Sequence, residues 1–478
     1  MITLAEAARA TGGRWLRQPL PEETPLSGGS FDTRALGGAS IFFALKGERA
    51  DGHAFLDRLA GSGVRLAVVQ REALPAGFDG AVLRVEDTLR ALADMARFLV
   101  AKYRPKVVAI TGSYGKTTAK EVIAQVLDGP RRVLKSPGSL NNEIGIPITL
   151  LNLDGSQDTC VLEFSARKEG DIDYLGRVAP PDIAVLLAVG HAHIGVFGSR
   201  EAIYRAKGEI FRHLRPGGLA LVNAEDPRLA TLASGHRVLS FGRGAGDFRA
   251  EDVTADSLGR QSFSAVHENT RIALRSGIAG AHGCYPMLAA WAVARELGVS
   301  DADVQARAGT HPGQKGRAVL LHAPGGAIVV DDTYNASPET VVNLIATLAS
   351  IQASERILVL GHLSELEAGL GESAAAIGKH LSAPLSKCYV HAAATPELPG
   401  LLQRQASIPV QEFGTMAALI VALRAKDRPG TAFGVKGARS AHMERAIHGL
   451  RGAEVACALT PCGLLKHCTD CDALGRHG

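Results

Sequence analysis

A glycine-containing segment with the residue types of a phosphate-binding loop covers residues 110–122, with the sequence ITGSYGKTTAKEV. The β-branched run KVVA precedes it and TTAKEVIAQVL follows at helical period, so the context is strand, turn and helix. Backbone N–H groups of such a loop approach phosphate oxygens, and the next helix N-terminus favours negative charge. Lys116 would reach the β- and γ-phosphates of a nucleotide, and Thr117 would offer a hydroxyl to Mg²⁺. The alternative is an ordinary strand–helix turn containing Gly-Lys-Thr-Thr.

Further polar residues lie where they could complete such a site. Glu163 ends the strand CVLEF, at the carboxyl end of a sheet strand where ligands bind in open α/β sheets, so it is a candidate Mg²⁺ ligand. Taken alone, it could equally be a capping or surface residue. His191 and His193 follow the next strand end and could each be structural histidines. Lys207 and Glu209, in the helix EAIYRAKGEIFRHL, would by themselves form a solvated helix face.

The strands and helices that must position these residues follow a regular order. From the segment KVVAIT to the segment LALVNA, strands alternate with helices, which predicts a parallel sheet covered on both faces. A β-rich stretch at residues 236–276 precedes the helix PMLAAWAVARELG, and a second alternation begins near residue 318. The first hundred residues mix strands and short helices. The sequence therefore predicts an α/β fold of three domains, with boundaries at residues 1–104, 105–317 and 318–478.

Composition limits the classes of protein to which the chain can belong. Its 478 residues are 46% hydrophobic and 21% charged, which is typical of a soluble globular protein. A formal net charge of +4 is too small over this length to indicate nucleic-acid binding. No apolar run approaches the roughly 18 residues of a membrane helix, and the N-terminus lacks the features of a signal peptide. Seven cysteines without a secretory signal favour a reducing compartment, so we expect a cytoplasmic protein with free thiols.

Several segments that occur in order along the chain carry a resemblance to a known family. They are ITGSYGKTT, SPGSLNNEIGIPITLL, VLEFSARKEGDIDYL, AHIGVFGSREAIYRAKGEIF, LVNAEDP, DDTYNASPETV and VKGARSAHMER. With the N-terminal segment SFDTRALGGASIFFALKGERADGHAF, they resemble the Mur ligases of peptidoglycan assembly up to about residue 450. The loop is shorter than the common phosphate-binding form, because Gly112 lies only three residues before Gly115. This short spacing is the family's own form.

The resemblance implies a fold, a reaction and its cofactors. It implies an N-terminal UDP-substrate-binding domain, a central ATPase with a parallel sheet and a C-terminal Rossmann-like domain. The implied reaction is ATP-driven amide formation between UDP-MurNAc-tripeptide and D-Ala-D-Ala, with ATP and Mg²⁺ as cofactors. A substrate carboxylate would attack the γ-phosphate to give an acyl phosphate, and the incoming amine would then displace phosphate. Positioning by metal and cations would do most of the catalysis. A monomer that binds small molecules, without nucleic acid or membrane span, is expected.

The resemblance also implies roles for individual residues. Those implied in catalysis are Lys116, His193, Lys207 and Arg317. Those implied to face the nucleotide are Gly112, Ser113, Tyr114, Gly115, Lys116, Thr117, Thr118, Arg317, Asp332 and Asn335. Those implied to bind the other substrates are Asp32, Thr33, Arg34, Asn142, Lys436 and Arg439. Those implied near the metal ions are Thr117, Glu163, His193 and Lys207, the last as a carbamate that turns a cation into an anion.

Some positions depart from the family pattern. The segment HGCYP places Gly283 and Pro286 where the adenine-facing helix normally carries two Asn residues, which should weaken or re-route base recognition. His362 stands where Asp is usual, in the domain that would bind the dipeptide. Three interpretations stay open: drift within a tolerant family, a related amide ligase of another pathway, and a nucleotide-binding scaffold without turnover. Retention of the chemical residues together argues against the scaffold.

The C-terminal tail lies outside the resemblance. Cys457, Cys462, Cys468 and Cys471, with His467, form the pattern C-x₄-C-x₅-C-x₂-C. The last pair has the spacing of zinc ligands, but the segment between the pairs is much shorter than in usual zinc modules. The tail could therefore bind a metal or be a poorly ordered appendage with free thiols. The short spacing favours the appendage.

Overall fold

The structure is a computed structural model that describes residues 1–47, 50–190, 194–309, 313–364, 366, 369–457, 462, 468 and 471. Residue contacts divide the chain into two compact units. The first consists of Met1–Val189, Glu201–Ser240 and Trp291–Ser300. The second consists of Gly190–Arg200, Phe241–Ala290 and Asp301–Gly478.

The N-terminal part of the first unit contains a five-stranded sheet and a separate pair of short antiparallel strands at Ile2–Thr3 and Pro25–Leu26. Its strands are β1 (Ile2–Thr3), β2 (Arg14–Arg17), β3 (Pro25–Leu26), β4 (Gly29–Ser30), β5 (Ile41–Phe43), β6 (Leu66–Val69) and β7 (Ala81–Arg84). Its helices are α1 (Leu4–Thr11), a 3₁₀ helix (Gly52–Leu59) and α2 (Thr88–Tyr103). The five-stranded order is β2-β7-β6-β5-β4, parallel except for β2. Asp87 caps α2, because its carboxylate accepts a hydrogen bond from Arg90 N at 2.9 Å.

The middle region contains the elements that carry the phosphate loop. Its strands are β8 (Lys106–Thr111), β9 (Val133–Lys135), β10 (Thr159–Glu163), β11 (Ile183–Leu186), β12 (Leu219–Asn223), β13 (Arg237–Arg243), β14 (Phe248–Ala255), β15 (Arg260–His267) and β16 (Thr270–Ala279). Its α-helices are α3 (Lys116–Leu127), α4 (Gly145–Leu150), α5 (Asp171–Val178), α6 (Ile194–Phe197), α7 (Arg200–Gly208), α8 (Arg228–Leu232), α9 (Cys284–Glu296) and α10 (Asp301–Ala308). Its 3₁₀ helices are Glu209–Phe211 and Ala281–Gly283.

Within the first unit, five of these strands form a parallel sheet in the order β12-β11-β8-β10-β9. Strands β8, β10 and β11 are almost wholly buried, as expected for a parallel sheet covered on both faces. Because the strands are parallel, their carboxyl ends meet at one edge, where ligands bind in such sheets. Within the second unit, β14, β15 and β16 pair antiparallel, which confirms the predicted β-rich stretch.

The C-terminal part of the second unit is a doubly wound sheet. Its strands are β17 (Val319–His322), β18 (Ile328–Asp332), β19 (Glu355–Leu360), β20 (Lys387–His391), β21 (Val410–Phe413) and β22 (Thr431–Lys436). Its helices are α11 (Pro338–Ser350), α12 (Gly369–Gly378), α13 (Leu398–Gln403), α14 (Met416–Arg424), a 3₁₀ helix (Arg439–Ala441) and α15 (Glu444–Leu450). The order is β17-β18-β22-β19-β20-β21, parallel except for β17. Successive residues of β18 and β19 enter two different apolar cores, one on each face.

The predicted α/β class is confirmed by these parallel sheets. The three predicted domain boundaries stay predictions. In the part of the chain that the structure describes, no helix has the length and apolar character to cross a membrane.

Candidate active site

The glycine loop is held against the neighbouring strand end. Gly112 has φ +153°, and a Cβ there would lie 3.2 Å from both the backbone N and O of Ala188. Ser113 N donates a hydrogen bond to Ala188 O at 2.7 Å. Gly115 has φ +79° and provides no side-chain cap for α3. The two glycines therefore let the backbone turn sharply, and the first turn of α3 presents its N–H groups at the loop.

The side chains of the loop and first helical turn lie where the motif predicts. Lys116 Nζ donates to Gly112 O at 2.8 Å and to Ser113 O at 3.3 Å, so the lysine lies folded over its own loop. Thr117 is buried, and Thr118 is half-buried in the same turn. The structure thus brings residues 112–118 together. Their contact with a nucleotide stays a prediction.

Glu163 offers a carboxylate oxygen suited to a hard metal ion. It ends β10, which pairs directly with β8, and its side chain is buried. Asn141 Nδ2 donates to Glu163 Oε1 at 2.8 Å, whereas Oε2 is buried without a hydrogen-bond partner among the described residues. An ionised oxygen in that position is costly unless a cation binds it. Together with the hydroxyl of Thr117, this donor set fits Mg²⁺.

Lys207 is an almost fully buried lysine, with 3% of its surface exposed. Burial, and then the positive charge of Lys116, lower the pKa of Lys207 to about 7. The carboxylate of Glu209 does not neutralise it by a direct ion pair, because its oxygens accept the backbone N–H groups of Gly170 at 2.7 Å and Asp173 at 3.1 Å. A solvated helix face is therefore the wrong interpretation of Lys207 and Glu209. With this pKa, a fraction of the Lys207 side chains is neutral near pH 7. The neutral amine is the form that reacts with CO₂, so the lowered pKa suits the implied carbamate.

Two predicted residues cannot be placed. His193, implied near a metal ion, and His191 lie outside the described residues.

In the second unit, Asp332 and Lys436 form a buried ion pair. They are register partners on the parallel strands β18 and β22, and Lys436 Nζ contacts both the side chain and the backbone carbonyl of Asp332. Lys436 is 2% exposed, and burial lowers its pKa. The resemblance assigns the two residues to different ligands, whereas the structure joins them in one pair.

Arg317 and Asn335 lie near the same strand end. The Arg317 guanidinium stacks 3.8 Å from the centre of the Tyr334 ring, and its Nε is buried without a hydrogen-bond partner among the described residues. Asn335 Oδ1 accepts a hydrogen bond from Ser364 Oγ at 2.5 Å. Stacking fixes the plane of the Arg317 fork, which prepares it for an anionic ligand such as phosphate.

Other predicted substrate residues have local structural partners. Asn142 is exposed, and its Oδ1 accepts a hydrogen bond from Gly145 N at 2.9 Å at the start of α4. Arg439 Nη2 donates to Glu444 Oε1 at 2.7 Å.

The sequence prediction selected Asn142 and missed its neighbour Asn141, which contacts Glu163. The signal was the pair of adjacent Asn residues, but only the fold shows which one faces the carboxylate.

Asp32, Thr33 and Arg34 line a cavity of about 890 Å³ in the first unit. Asp32 accepts hydrogen bonds from Arg34 Nη2 at 2.7 Å and Arg34 N at 2.9 Å, and these bonds lower the pKa of Asp32 to about 2. Phe31, Phe55 and Arg58 also contribute to the lining. A cavity of this volume, with aromatic walls and a few charges, has the size and chemistry of a small-molecule site.

The chain is similar to known proteins over most of its length. Residues 110–294 match the Mur ligase middle domain, and residues 316–439 match the Mur ligase, glutamate ligase domain. A UDP-N-acetylmuramoyl-tripeptide–D-alanyl-D-alanine ligase from Haemophilus influenzae is 34% identical, over 73% of this chain and 76% of that protein. The crystal structure of MurF from Acinetobacter baumannii matches with TM-score 0.85 and 30% identity, over 95% of this chain and 99% of that one. MurF ligase from Thermotoga maritima in complex with ADP matches with TM-score 0.78 and 29% identity, over 89% and 97%.

The two matched domains, with the phosphate loop on a parallel sheet, define the class of Mur ligases. The chain belongs to this family and, within it, to the MurF type, the UDP-N-acetylmuramoyl-tripeptide–D-alanyl-D-alanine ligases. The predictions of an ATP-dependent amide ligase, of ATP and Mg²⁺ as cofactors, and of small-molecule substrates are confirmed by these relatives. The roles of individual residues stay predictions.

Gly283 lies at a point of the backbone with little room for a side chain. A Cβ on Gly283 would lie 2.6 Å from Ser276 Oγ and 2.7 Å from Ile278 O, so this backbone leaves no room for an Asn side chain. His362 Nε2 lies 2.9 Å from Ser440 Oγ, and its Nδ1 is buried without a hydrogen-bond partner in the described part of the chain. Gly283 and His362, the two residues that depart from the family pattern, are therefore both in close contact with neighbouring residues.

Proposed function

We propose that this chain forms the amide bond between UDP-MurNAc-tripeptide and D-Ala-D-Ala, with ATP as the source of energy. The substrate carboxylate attacks the γ-phosphorus, ADP leaves, and an acyl phosphate forms. The amine of D-Ala-D-Ala then attacks the acyl carbon, phosphate leaves, and the amine proton passes to solvent. The observation that carries this proposal is the buried Oε2 of Glu163, which has no hydrogen-bond partner among the described residues and lies on the strand next to the phosphate loop.

In the first unit, the loop residues have distinct tasks. The backbone N–H groups of residues 112–118 and the ammonium of Lys116 bind the phosphates. Glu163 and Thr117 hold Mg²⁺, and Asn141 orients the Glu163 carboxylate through its 2.8 Å hydrogen bond. Mg²⁺, when bound, neutralises charge on the transferring phosphoryl group. Lys207, as a carbamate, supplies an anion to the same edge of the sheet.

In the second unit, the cations are assigned to anionic groups of the reactants. Arg317, with its plane fixed by Tyr334, binds the γ-phosphate. Arg439 and Lys436 act on the substrate side, and Asp332 holds Lys436 in place. The cavity lined by Asp32, Thr33 and Arg34 binds the UDP part of the acceptor.

Phosphate release tests this function directly. We expect negligible release with ATP and Mg²⁺ alone, because the acyl phosphate requires the carboxylate substrate. Release should rise steeply only when UDP-MurNAc-tripeptide and D-Ala-D-Ala are both present, and Lys116→Ala should abolish the rise. ATP binding without turnover, across a panel of UDP-peptides and amines, would contradict the proposal and favour a scaffold.

A second candidate is a MurF-like ligase that accepts a different amine. It is favoured by His362, which stands where the family usually has Asp, in the region implied to bind the dipeptide, and which contacts Ser440 Oγ. Turnover with UDP-MurNAc-tripeptide and another amine, but not with D-Ala-D-Ala, would favour this candidate.

The monomeric state and the cytoplasmic location also stay proposals. Sedimentation tests the monomeric state, and cell fractionation tests the location.

A further inference from the structure

A cluster of three buried side chains in the second unit has no role in the proposed reaction. It consists of His442, Glu444 and Cys468, and one ligand atom from each lies within 4.8 Å of the other two. His442 and Glu444 directly follow the 3₁₀ helix that carries Arg439, whereas Cys468 belongs to the C-terminal tail, and all three lie beyond the matched domains. We propose that these three residues bind a divalent transition-metal ion of the Zn²⁺ type, which fastens the tail to this turn.

The distances between the ligand atoms suit one shared ion. His442 Nδ1 lies 3.3 Å from Cys468 Sγ and 3.1 Å from Glu444 Oε1. A tetrahedral ion with bonds of about 2.3 Å to sulfur and about 2.0 Å to nitrogen and oxygen holds its ligand atoms about 3.3–3.6 Å apart. Two of the three distances are therefore close to those of a coordinated set, and the third lies within 4.8 Å.

One oxygen of the Glu444 carboxylate is available to bind a metal ion. Glu444 Oε1 accepts hydrogen bonds from Arg439 Nη2 at 2.7 Å and from Cys468 N at 3.0 Å. Glu444 Oε2 is buried and has no hydrogen-bond partner among the described residues, and the Glu444 side chain is only 1% exposed. An ionised oxygen in such surroundings requires a cation or a donor. A cation bound at this carboxylate would satisfy Oε2.

The donor set selects the class of ion. One thiolate, one imidazole and one carboxylate are the mixed ligands that Zn²⁺ accepts, whereas Mg²⁺ and Ca²⁺ prefer oxygen alone. Deprotonated Cys468 and Glu444 also supply two negative charges, which balance the ion beside Arg439. Cys468 keeps a free thiol, as expected for the tail, but this thiol is buried, with 7% of the residue exposed.

Co²⁺ is a suitable probe, because a cobalt–thiolate bond gives a near-ultraviolet charge-transfer band. Full-length protein stripped with a chelator should take up one Co²⁺ per chain with this band, and Zn²⁺ should displace it. Cys468→Ala should abolish the band. Glu444→Gln, which keeps the shape of the side chain, should weaken binding tenfold or more. Cys388→Ala, which removes a buried core thiol, is the matched control and should keep the band.

Two results would overturn the site: the absence of a thiolate band in the wild-type chain, or a band unaffected by Cys468→Ala. If Cys468→Ala does not fold, Glu444→Gln decides, since unchanged Co²⁺ affinity in that variant would contradict the proposal. A second readout is proteolysis of the tail. Zn²⁺ should protect it in the wild-type chain and in Cys388→Ala, but not in Glu444→Gln.

Discussion

Lys207 and Lys436 are equally buried lysines in opposite electrostatic surroundings. Lys207 is 3% exposed and Lys436 is 2% exposed. Lys436 forms an ion pair with Asp332, its partner on the neighbouring strand. Lys207 makes no ion pair among the described residues, and the nearby Glu209 is occupied as the cap of α5. Lys436 therefore has a carboxylate partner for its charge, whereas Lys207 has no such partner among the described residues.

The difference shows that burial alone does not reveal the role of a charged residue. A buried ammonium with a carboxylate partner contributes to structure, and removing one partner leaves an uncompensated charge. A buried ammonium without such a partner shifts towards its neutral form, which is the reactive one. The contrast is testable, because the two lysines should respond differently to the same substitutions.

The largest effect is expected at the phosphate loop, which supplies the charge next to Lys207. Lys116→Ala removes the cation proposed to bind the transferring phosphate and should lower the rate of phosphate release on the order of 10²-fold or more. The exposed Lys106, changed to Ala, is the control for a general loss of positive charge. A Lys116→Ala enzyme that turns over at the wild-type rate would show that the loop assignment is wrong.

The comparison is sharpened by chemical rescue. Lys207→Ala should lose most of its activity, and small carboxylates such as formate or acetate should restore part of it by replacing the carbamate. Lys436→Ala should not respond to the same additives. Lys436 supplies the positive charge of its ion pair with Asp332, and a carboxylate cannot replace a positive charge. Steady-state phosphate release with and without added carboxylate measures both. Failure of rescue in Lys207→Ala, or equal rescue in both variants, would contradict the carbamate.

The ion pair between Lys436 and Asp332 predicts an effect on the stability of the fold. Lys436→Met leaves Asp332 without its partner and should lower the free energy of unfolding by about 3 kcal/mol. A double variant with Asp332→Leu removes both charges and should recover most of that loss. Chemical denaturation followed by circular dichroism measures the change. If the single variant is as stable as the wild type, the pair does not hold this strand end together.

A smaller effect is expected at Glu163. Glu163→Gln keeps the acceptor for Asn141 but removes the charge, and should weaken the apparent affinity for Mg²⁺ on the order of tenfold. Titration of Mg²⁺ against ATP-dependent turnover gives the affinity. Glu169→Gln, at an exposed position, is the control. Unchanged Mg²⁺ dependence in Glu163→Gln would remove this residue from the metal site.

A further effect concerns pH. The pKa of Lys207 is lowered from 10.5 to about 7, so between those values the unfolded chain binds one more proton than the folded chain. Stability contributed by this group therefore rises with pH across that window and is lowest below pH 7. In CO₂-free buffer, wild type should gain stability relative to Lys207→Met from pH 7 to pH 10. A constant difference would contradict the lowered pKa, and Lys106→Met is the exposed control.

The sequence predicts those parts of the site that depend on neighbouring residues. The loop at 112–118 needs only two glycines between a strand and a helix, so its position follows from the local pattern. The boundaries of β8 and α2 also follow from local apolar periodicity and, for α2, from a capping Asp.

The remaining parts depend on strand register and on packing between distant segments. Asp332 and Lys436 meet because β18 and β22 are neighbours in the sheet, although they are far apart in the chain. The Asn141 contact with Glu163 and the helix cap formed by Glu209 need the same long-range information. Cys468 reaches His442 in the same way. No local pattern encodes these pairings.

The position of β22 has a consequence for biosynthesis. This strand is the last in the part of the chain that the structure describes, yet it lies in the middle of its sheet, between β18 and β19. During translation, the two halves of that sheet cannot join until residues 431–436 have been made. Until then, both halves expose an unpaired strand edge that another chain could bind. A nascent chain halted before β22 is therefore expected to be a substrate for chaperones or proteases.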